Sequence, residues 1–296
     1  MRVIFLGCGY LGYNLYTQLK DVFDVEMWGI DSPYSSLLSH ITYVDVYDPY
    51  SFSKLDLKDA IIIDTVSYVA STDARKNEEE ILDELKTSFE NLLGALKNGG
   101  IKRYLFFSSG GTVYGSCKET IKETNPLQPN SLYAKTKVMM EEVLQQSGID
   151  YLICRISNPY GGYQVAGKKQ GVIPIMIRAA LEEETFYLYT DASNVRDYFY
   201  IDDFAKAIQL LLEKDISNEI VNIGSGIPIS LQELLEIVEK VTKKKIHVEH
   251  KESDVYVVEK NVLDISKLKA LTGFEPSITL EEGIHREVYR IKEDLK

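Results

Sequence analysis

An apolar run, Val3-Ile4-Phe5-Leu6, breaks directly into Gly7-Cys8-Gly9-Tyr10-Leu11-Gly12 and then into an amphipathic stretch. Few folds accommodate that order. A strand feeding a helix through glycines at this spacing makes the turn that cradles a pyrophosphate. Gly7 permits the tight turn, Gly9 lets the backbone approach the phosphates, and Gly12 lets helix and strand pack closely. The amides of the first helical turn, beginning at Tyr10 and Leu11, then face the phosphates. Taken alone, GxGxxG is a weak signal, but here it follows a strand, opens a helix and is followed by an acid. That acid is Asp31, at the end of the second apolar run Val25–Ile30, where a carboxylate can bind both hydroxyls of an adenosine ribose. The same carboxylate repels a 2′-phosphate and no Arg adjoins it, so NAD is expected over NADP. Asp45-Val46, after a third short strand, is a candidate adenine contact, with a plain loop acid as the alternative.

The first two-thirds of the chain repeat this alternation, the pattern of a parallel sheet with helices on both faces. Strands are expected at Arg2–Leu6, Val25–Ile30, Ala60–Val66, Arg103–Ser108 and Tyr151–Ile156, and helices at Leu11–Leu19, Glu79–Lys97, Leu132–Gln146 and Asp203–Leu212. After Asn158 the rhythm becomes irregular, with Gly161, Gly162, Gly167 and Gly171 in a long loop. Ile220–Ile223 is strand-like, and Ser230–Val241 reads as a helix capped by Ser230 with Glu233 three residues on. The expectation is an α/β protein with a Rossmann-type doubly wound parallel sheet and a smaller C-terminal α/β lobe for substrate. The dinucleotide domain spans 1–160, with a return of the chain at 198–225; 161–197 and 226–296 form the substrate lobe.

A second motif supplies chemistry. On a helix, Tyr133 and Lys137 share a face. A nearby ammonium favours phenolate and lowers the tyrosine pKa, which makes the phenol a usable acid and base. YxxxK is common, and an idle surface pair is the alternative. The context is Leu105-Phe106-Phe107-Ser108-Ser109-Gly110-Gly111-Thr112-Val113-Tyr114-Gly115, a buried strand that breaks into small residues and hydroxyls. The substrate-side end of a sheet has that character. A dinucleotide and a tyrosine base together imply hydride chemistry on an alcohol or ketone.

With these motifs the chain resembles the extended short-chain dehydrogenase/reductase family, in its nucleotide-sugar epimerase and dehydratase branch. The resemblance runs nearly end to end. It takes in the glycine turn, the Ser108–Gly115 segment and Tyr133-x-x-x-Lys137, then Arg155-Ile156-Ser157-Asn158-Pro159-Tyr160-Gly161, Val195-Arg196-Asp197-Tyr198 and Asn222-Ile223-Gly224-Ser225-Gly226. It implies cofactor contacts from the glycine turn and Asp31, and from Val66, Ser67, Ser108, Ile156, Tyr133 and Lys137 at the other strand ends. It implies that a nucleotide sugar is held by Asn158, by the backbone near Gly171-Val172, by Arg196 and by an aromatic at Tyr189. An ion pair with Asp197 or Asp202 is the alternative for Arg196. Pocket width would depend on the loops around Ser67, Asn158 and Tyr189. A homodimer built on Glu79–Lys97 and Leu132–Gln146 is implied as well, although the stripe Ile81, Leu85, Leu92, Leu96 equally suits burial on the sheet.

Two positions depart from the family pattern. Gly110 stands where the family usually has its catalytic Ser or Thr, so a hydroxyl for the sugar oxygen must come from Thr112, expected first, or from Ser109, or be absent. Lys251 stands where many members carry an Arg three residues before the acid matching Asp254, a point charge in place of a bidentate fork. The missing carboxylates discriminate further. The family's 4,6-dehydratases use an Asp-Glu pair at the positions of Gly111 and Thr112, and its decarboxylases usually keep the Glu. The resemblance therefore implies an NAD-dependent 4-epimerase of a nucleotide-activated hexose, of the UDP-glucose/UDP-galactose type, acting through a 4-keto intermediate. The alternatives are a reductase or dehydrogenase of a nucleotide-linked keto sugar, and a non-catalytic dinucleotide sensor.

Other function classes find little in the sequence. A net charge of −12, from 33 basic and 45 acidic residues, lacks the basic footprint of a general nucleic-acid binder. No apolar run has the length of a membrane span, and the glycines that follow the apolar N-terminus at once are unlike a signal peptide. Cys8, Cys117 and Cys154 lack CxxC spacing and suit a reducing compartment, so a cytoplasmic protein is expected. His247 and His250 lie in the apparent strand Lys245–His250, where a spacing of three puts them on opposite faces; no metal site is expected. Cys117 reads as an idle thiol, and the acidic run Glu78–Glu80 as a helix start favoured by the dipole.

Asp31 carries the cofactor expectation and gives the first test. Asp31→Ser should weaken NAD binding and relax discrimination against NADP in parallel titrations, whereas NADP binding to the unmodified protein as tightly as NAD would remove the argument.

Overall fold

Alternating apolar and amphipathic runs build three layers in the computed structural model, which describes residues 1–68, 77–165, 171–251 and 258–295. The chain begins with β1 (Arg2–Leu6), α1 (Tyr10–Leu19), β2 (Asp24–Gly29), β3 (Thr42–Tyr43) and β4 (Ile61–Asp64). It continues through α2 (Glu78–Asn98), β5 (Arg103–Ser109), the single turn α3 (Gly110–Val113), α4 (Leu132–Gln146), β6 (Tyr151–Ile156) and β7 (Asn158–Tyr160). Next come α5 (Val172–Glu182), β8 (Thr185–Leu188), β9 (Val195–Tyr200), α6 (Ile201–Glu213), β10 (Glu219–Ile223) and β11 (Pro228–Ser230). The remainder holds α7 (Leu231–Thr242), β12 (His247–His250), β13 (Lys260–Asn261), α8 (Ser266–Thr272) and α9 (Leu280–Asp294).

One sheet runs β10-β6-β5-β4-β1-β2-β3 with every pairing parallel. This is a Rossmann-type doubly wound sheet. Its strand interiors are largely apolar because both faces are covered. Along β1, Val3 and Phe5 join one core with Leu15 and Ile208, while Ile4 and Leu6 join the other with Leu92 and Met140. The order of strands reverses between β1 and β4, so a crevice opens at their carboxyl ends beside the glycine turn.

Helix ends follow local chemistry. A capping box between Asn77 and Glu80 starts α2, and the acids of its first turn sit at the positive end of the helix dipole. The stripe Ile81, Leu85, Leu92, Leu96 is buried within the chain, and Leu92 and Leu96, joined by Phe89, pack in the core on one face of the sheet. A second capping box, Ser230 with Glu233, starts α7 where the sequence placed it.

The region read as an irregular loop is more ordered than its sequence suggests. β7, β11 and β13 all pair with β9, and β12 pairs with β8. Helix α5 (VIPIMIRAALE) is apolar on nearly every side and carries Pro174 in its first turn, which hides a helical period. Gly167 lies outside the described residues. His247 and His250 are exposed on β12. Among the described residues no helix is long and apolar enough to cross a membrane.

The glycine turn separates packing from ligand space. Gly7 has φ +104°, and a Cβ there would lie 3.0 Å from the Thr65 carbonyl carbon and the Val66 nitrogen. On Gly12 a Cβ would collide with the Gly7 oxygen and approach Thr65 Oγ1 to 2.6 Å. On Gly9 it would meet nothing within 4 Å. The fold needs Gly7 and Gly12, whereas Gly9 keeps open the space in front of α1. Gly12→Ala should therefore lose about 1–3 kcal/mol of stability through overpacking. Gly9→Ala should cost under about 1 kcal/mol as an N-cap change, yet weaken dinucleotide binding. Thermal melts alongside NAD titrations check both; equal melting losses in the two variants would contradict the distinction.

Candidate active site

The cofactor side forms where β1, β2 and β4 end. Asp31 is exposed two residues beyond Gly29, where a Cβ would lie 3.4 Å from Gly7 Cα. Ser32 Oγ donates to the Cys8 carbonyl at 2.5 Å, tying the loop after Asp31 to the glycine turn. Tyr10 and Leu11 open α1, and the Tyr10 hydroxyl donates to Gly161 O at 2.7 Å. Val66 is half-buried and Ser67 exposed just past β4. Asp45 is engaged locally, accepting the Tyr47 amide at 2.9 Å, and Val46 belongs to the core. At the ends of β5 and β6, Ser108 and Ile156 are buried, and the Ser108 hydroxyl has no hydrogen-bond partner among the described residues. The open space at Gly9, the orphaned Ser108 hydroxyl and the carboxylate at Asp31 fit a dinucleotide lying across the β1–β4 crevice.

Tyr133 and Lys137 lie one turn apart near the start of α4, whose N-cap Ser131 accepts the Ala134 amide. The phenol is half-exposed (50%), whereas Lys137 is buried. The Lys137 ammonium donates to the Phe107 carbonyl at 2.8 Å and lies 4.5 Å from the Phe106 ring centroid. It stands 5.9 Å from the Tyr133 ring centroid. The depressed tyrosine pKa expected from the YxxxK spacing is absent: partial desolvation pushes Tyr133 up, and the Ser109 side chain is what pulls it down. Burial likewise lowers Lys137, against the charges of Asp64 and Glu141, which favour the ammonium. The reason is directional: helical spacing puts both side chains on one face, but the ammonium is turned into the sheet edge.

Two buried acids that motif reading missed surround this lysine. Glu141, one helical turn after Lys137, is gripped by Arg155, with Nε 3.1 Å from both carboxylate oxygens and NH2 2.6 Å from Oε2. Asp64 accepts O–H bonds from Tyr104 at 2.7 Å and Tyr68 at 2.9 Å, and the Val66 amide at 2.9 Å. Both had signals in the sequence: an i,i+4 Lys-Glu pair, and the lone acid of the strand Ile61–Asp64.

The hydroxyl loop differs from its expected roles in one respect. Ser109 is the N-cap of α3 but makes no capping bond, and its side chain interacts with the Tyr133 phenol. The Thr112 hydroxyl points back toward the Ser109 carbonyl at 3.5 Å. At Gly110 a Cβ would approach Leu263 Cδ1 to 2.7 Å and the Arg155 carbonyl oxygen to 3.2 Å, so packing fills the place of the usual hydroxyl. Cys117 is a half-buried free thiol packed against the small cluster of Val113, Tyr114, Ile121 and Leu263.

On the far side of this loop lies a cavity of about 790 Å³ whose walls include Asn158, Gly171, Val172, Tyr189 and Arg196, the residues implied for substrate. Asn158 joins it to the hydroxyl loop: its amide donates to Asp197 O at 2.9 Å, and its Oδ1 lies 3.8 Å from where a Gly111 Cβ would be. Arg196 does not pair with Asp197 or Asp202. Asp197 is buried and accepts from Ser225 and Gly226, which anchors the Asn222–Gly226 motif, and Asp202 pairs with Arg286. Arg196 NH1 donates to the Val195 carbonyl at 2.9 Å, and among the described residues no acid forms a salt bridge with it. Lys251 is exposed, its ammonium 3.5 Å from the centroid of Tyr187, another wall of the cavity. Asp254 lies outside the described residues. Arg178 also lines the cavity, 3.6 Å from Asp294, and was not singled out from sequence because the helix carrying it was not recognised.

Known proteins share this architecture. A dTDP-4-dehydro-6-deoxyglucose reductase of Escherichia coli is 30% identical, covering 97% of this chain and 96% of that protein. A putative UDP-glucose 4-epimerase of Methanocaldococcus jannaschii is 32% identical over the same shares. Among solved structures, the UDP-glucose 4-epimerase of Thermus thermophilus in complex with NAD superposes with a TM-score of 0.85 at 26% identity, covering 99% of each chain. Residues 5–224 match the model of the NAD dependent epimerase/dehydratase family. Given a match over most of its length, and relatives aligned from end to end, the chain belongs to that family.

Proposed function

We propose that this protein is an NAD-dependent 4-epimerase of a nucleotide-activated hexose, of the UDP-glucose/UDP-galactose type. The reading is carried by one observation: Tyr133, Ser109 and the buried Lys137 meet at the carboxyl end of β5, while Gly111 and Thr112 offer no carboxylate for a second proton transfer. Residues 1–160 and 198–225 would hold NAD, and 161–197 with 226–296 the sugar nucleotide. The glycine turn and Asp31 bind the adenosine and diphosphate half, while Ser108, Ile156 and Lys137 line the nicotinamide end. NAD, when bound, supplies a reversible hydride acceptor.

In the epimerase reading, Tyr133 removes the proton of the 4-hydroxyl and later returns one to the same oxygen. Ser109, whose side chain lowers the phenol's pKa, would donate to the sugar oxygen and hold that oxygen in line. Arg196 and the α5 amino end near Gly171 and Val172 hold the diphosphate, and Asn158 and Tyr189 shape the pocket within which the 4-keto sugar turns over. Lys137 keeps a positive charge beneath the site. Partial desolvation holds the phenol above its ordinary pKa, and the positive charge of oxidised NAD, when bound, would favour the phenolate.

The second reading, a reductase of a nucleotide-linked 4-keto sugar with exchangeable cofactor, is supported by the similarity to the E. coli reductase. One assay separates them. The purified protein is incubated with UDP-glucose, UDP-galactose and their N-acetyl forms without added NADH. Interconversion of any pair supports the epimerase; no interconversion there, with reduction of a nucleotide-linked 4-keto sugar at stoichiometric loss of NADH once both are supplied, supports the reductase.

Tyr133→Phe should keep fold and NAD affinity and lose about 10²–10⁴-fold in turnover. The wild-type rate should rise with pH as the phenol ionises, and the rise should move little in Lys137→Met where that variant keeps measurable activity, because the ammonium is answered from inside the sheet. A Tyr133→Phe protein that turns over at the wild-type rate would overturn the mechanism. Ser109→Ala should slow turnover by about 10-fold or more, as loss of an oriented donor does. Thr112→Val should change it little; the reverse order in rate measurements would return the role to Thr112.

A further inference from the structure

The hydroxyl loop is held from behind by a segment of the C-terminal part of the chain. Asn261, on β13, is fully buried, and its side-chain amide donates to Gly110 O at 2.9 Å and to Gly115 O at 3.4 Å. These two carbonyls bracket the loop. Leu263 packs where a Gly110 side chain would be, and three backbone bonds join the continuation of the loop to the same segment. They run from Cys117 N to Lys260 O (3.0 Å), from Ile121 N to Val262 O (2.9 Å) and from Asp264 N to Ile121 O (2.8 Å). On its other side β13 pairs in parallel with β9, and the residue opposite Asn261 is Arg196. Among these ties, the buried carboxamide of Asn261 is the one that reaches the start of the loop beside Tyr133 from the strand paired with β9, whose guanidinium faces the cavity.

Both amide hydrogens of Asn261 are committed to carbonyls of buried residues, so a side chain without donors at this position removes both bonds from the loop. Taking Arg196 as a phosphate contact and Ser109 as the hydroxyl, as proposed above, we propose that Asn261 is a positioning residue: it couples the binding of a phosphate-type anion at Arg196 to the ordering of Ser109–Gly115, and so to the placement of the hydroxyl beside Tyr133. The residue touches neither substrate nor cofactor. Its effect falls on turnover and not on affinity.

The test uses NAD-loaded protein, inorganic pyrophosphate as the anion probe, and Asn261→Leu, which keeps volume and removes both donors. In the wild type, saturating pyrophosphate should slow amide exchange of residues 109–115 by about fivefold or more, since ordering of a loop is read in protection. In Asn261→Leu the probe should bind within about twofold of wild type but leave exchange in the loop unchanged, and with a turned-over nucleotide sugar kcat should fall at least about 10-fold at nearly constant KM, as misplacement of a catalytic group does. Arg196→Met should lose the probe and the protection together. If Asn261→Leu does not fold, Asn261→Ser, which keeps one donor, gives the same comparison. Protection that persists in the Asn261 variant overturns the proposal, as does a wild-type loop that ignores bound pyrophosphate. Failure to bind pyrophosphate at all refutes the phosphate role of Arg196 and this coupling with it. Because exchange is read without turnover, an inactive wild type with an intact response would count against the epimerase reading alone.

Discussion

The close approach of α1 to the ends of β1 and β4 is the contact on which the ligand edge of this protein depends. At Gly12 helix backbone meets turn backbone with no room for a side chain, and Thr65 Oγ1 donates to both Leu6 O (3.1 Å) and Gly7 O (2.5 Å). The exit of β4 is thereby stitched to the turn that leaves β1. Side-chain packing cannot replace a contact made of main chain on main chain. Once it forms, the amides of α1 point over the crevice where strand order reverses, and β5 and β6 deliver their ends to the same edge.

A set of buried charges lies under that edge, and its arrangement explains the behaviour of the reaction centre. Taking an ammonium out of water is costly unless other groups answer its charge. Lys137 has a carbonyl, an aromatic face and two nearby acids. The two acids are not equivalent. Arg155 already neutralises Glu141, whereas Asp64 is caged by neutral hydroxyls and an amide, and desolvation pushes its pKa upward against those donors and Lys137. The positive charge of Lys137 is answered from inside the sheet, so little of it acts on the phenol 5.9 Å away, measured at the ring centroid. The lysine shapes the site from below and leaves the tuning of Tyr133 to its immediate surroundings.

Strand β9 draws the remaining parts together. Asn158 on β7 donates to its backbone, Arg196 projects from it, Asp197 on it anchors the Ser225-Gly226 turn, and Asn261 on β13 ties it to the hydroxyl loop. The place where relatives of this type are expected to carry a hydroxyl is instead filled by Leu263 packing on Gly110. Contact with the C-terminal part of the chain thus takes the place of a side chain at Gly110. That contact makes the loop's position a property of two regions distant in sequence.

Features coded over a few residues were legible in the sequence: the strand–glycine–helix unit from Arg2 to Leu19, the acidic start of α2 and the cap at Ser230, the shared face of Tyr133 and Lys137, and the alternation that makes a doubly wound sheet. Local sterics and periodicity fix these wherever the chain runs. The segment from β7 to β9 was not legible, because α5 is apolar on most sides and β9 gains its order only from the three strands that pair with it. The direction of the Lys137 ammonium, the cage around Asp64, the freedom of Arg196 from Asp197 and the meeting of Asn261 with Gly110 were decided by tertiary structure alone. Lys137 with Phe107, Asp64 with Tyr104 and Asn261 with Gly110 are contacts between groups far apart in the chain, and Asp197 is held away from Arg196 by Ser225 and Gly226; a side chain's partner across such a distance depends on how sheets and helices pack, which no local pattern of residues encodes.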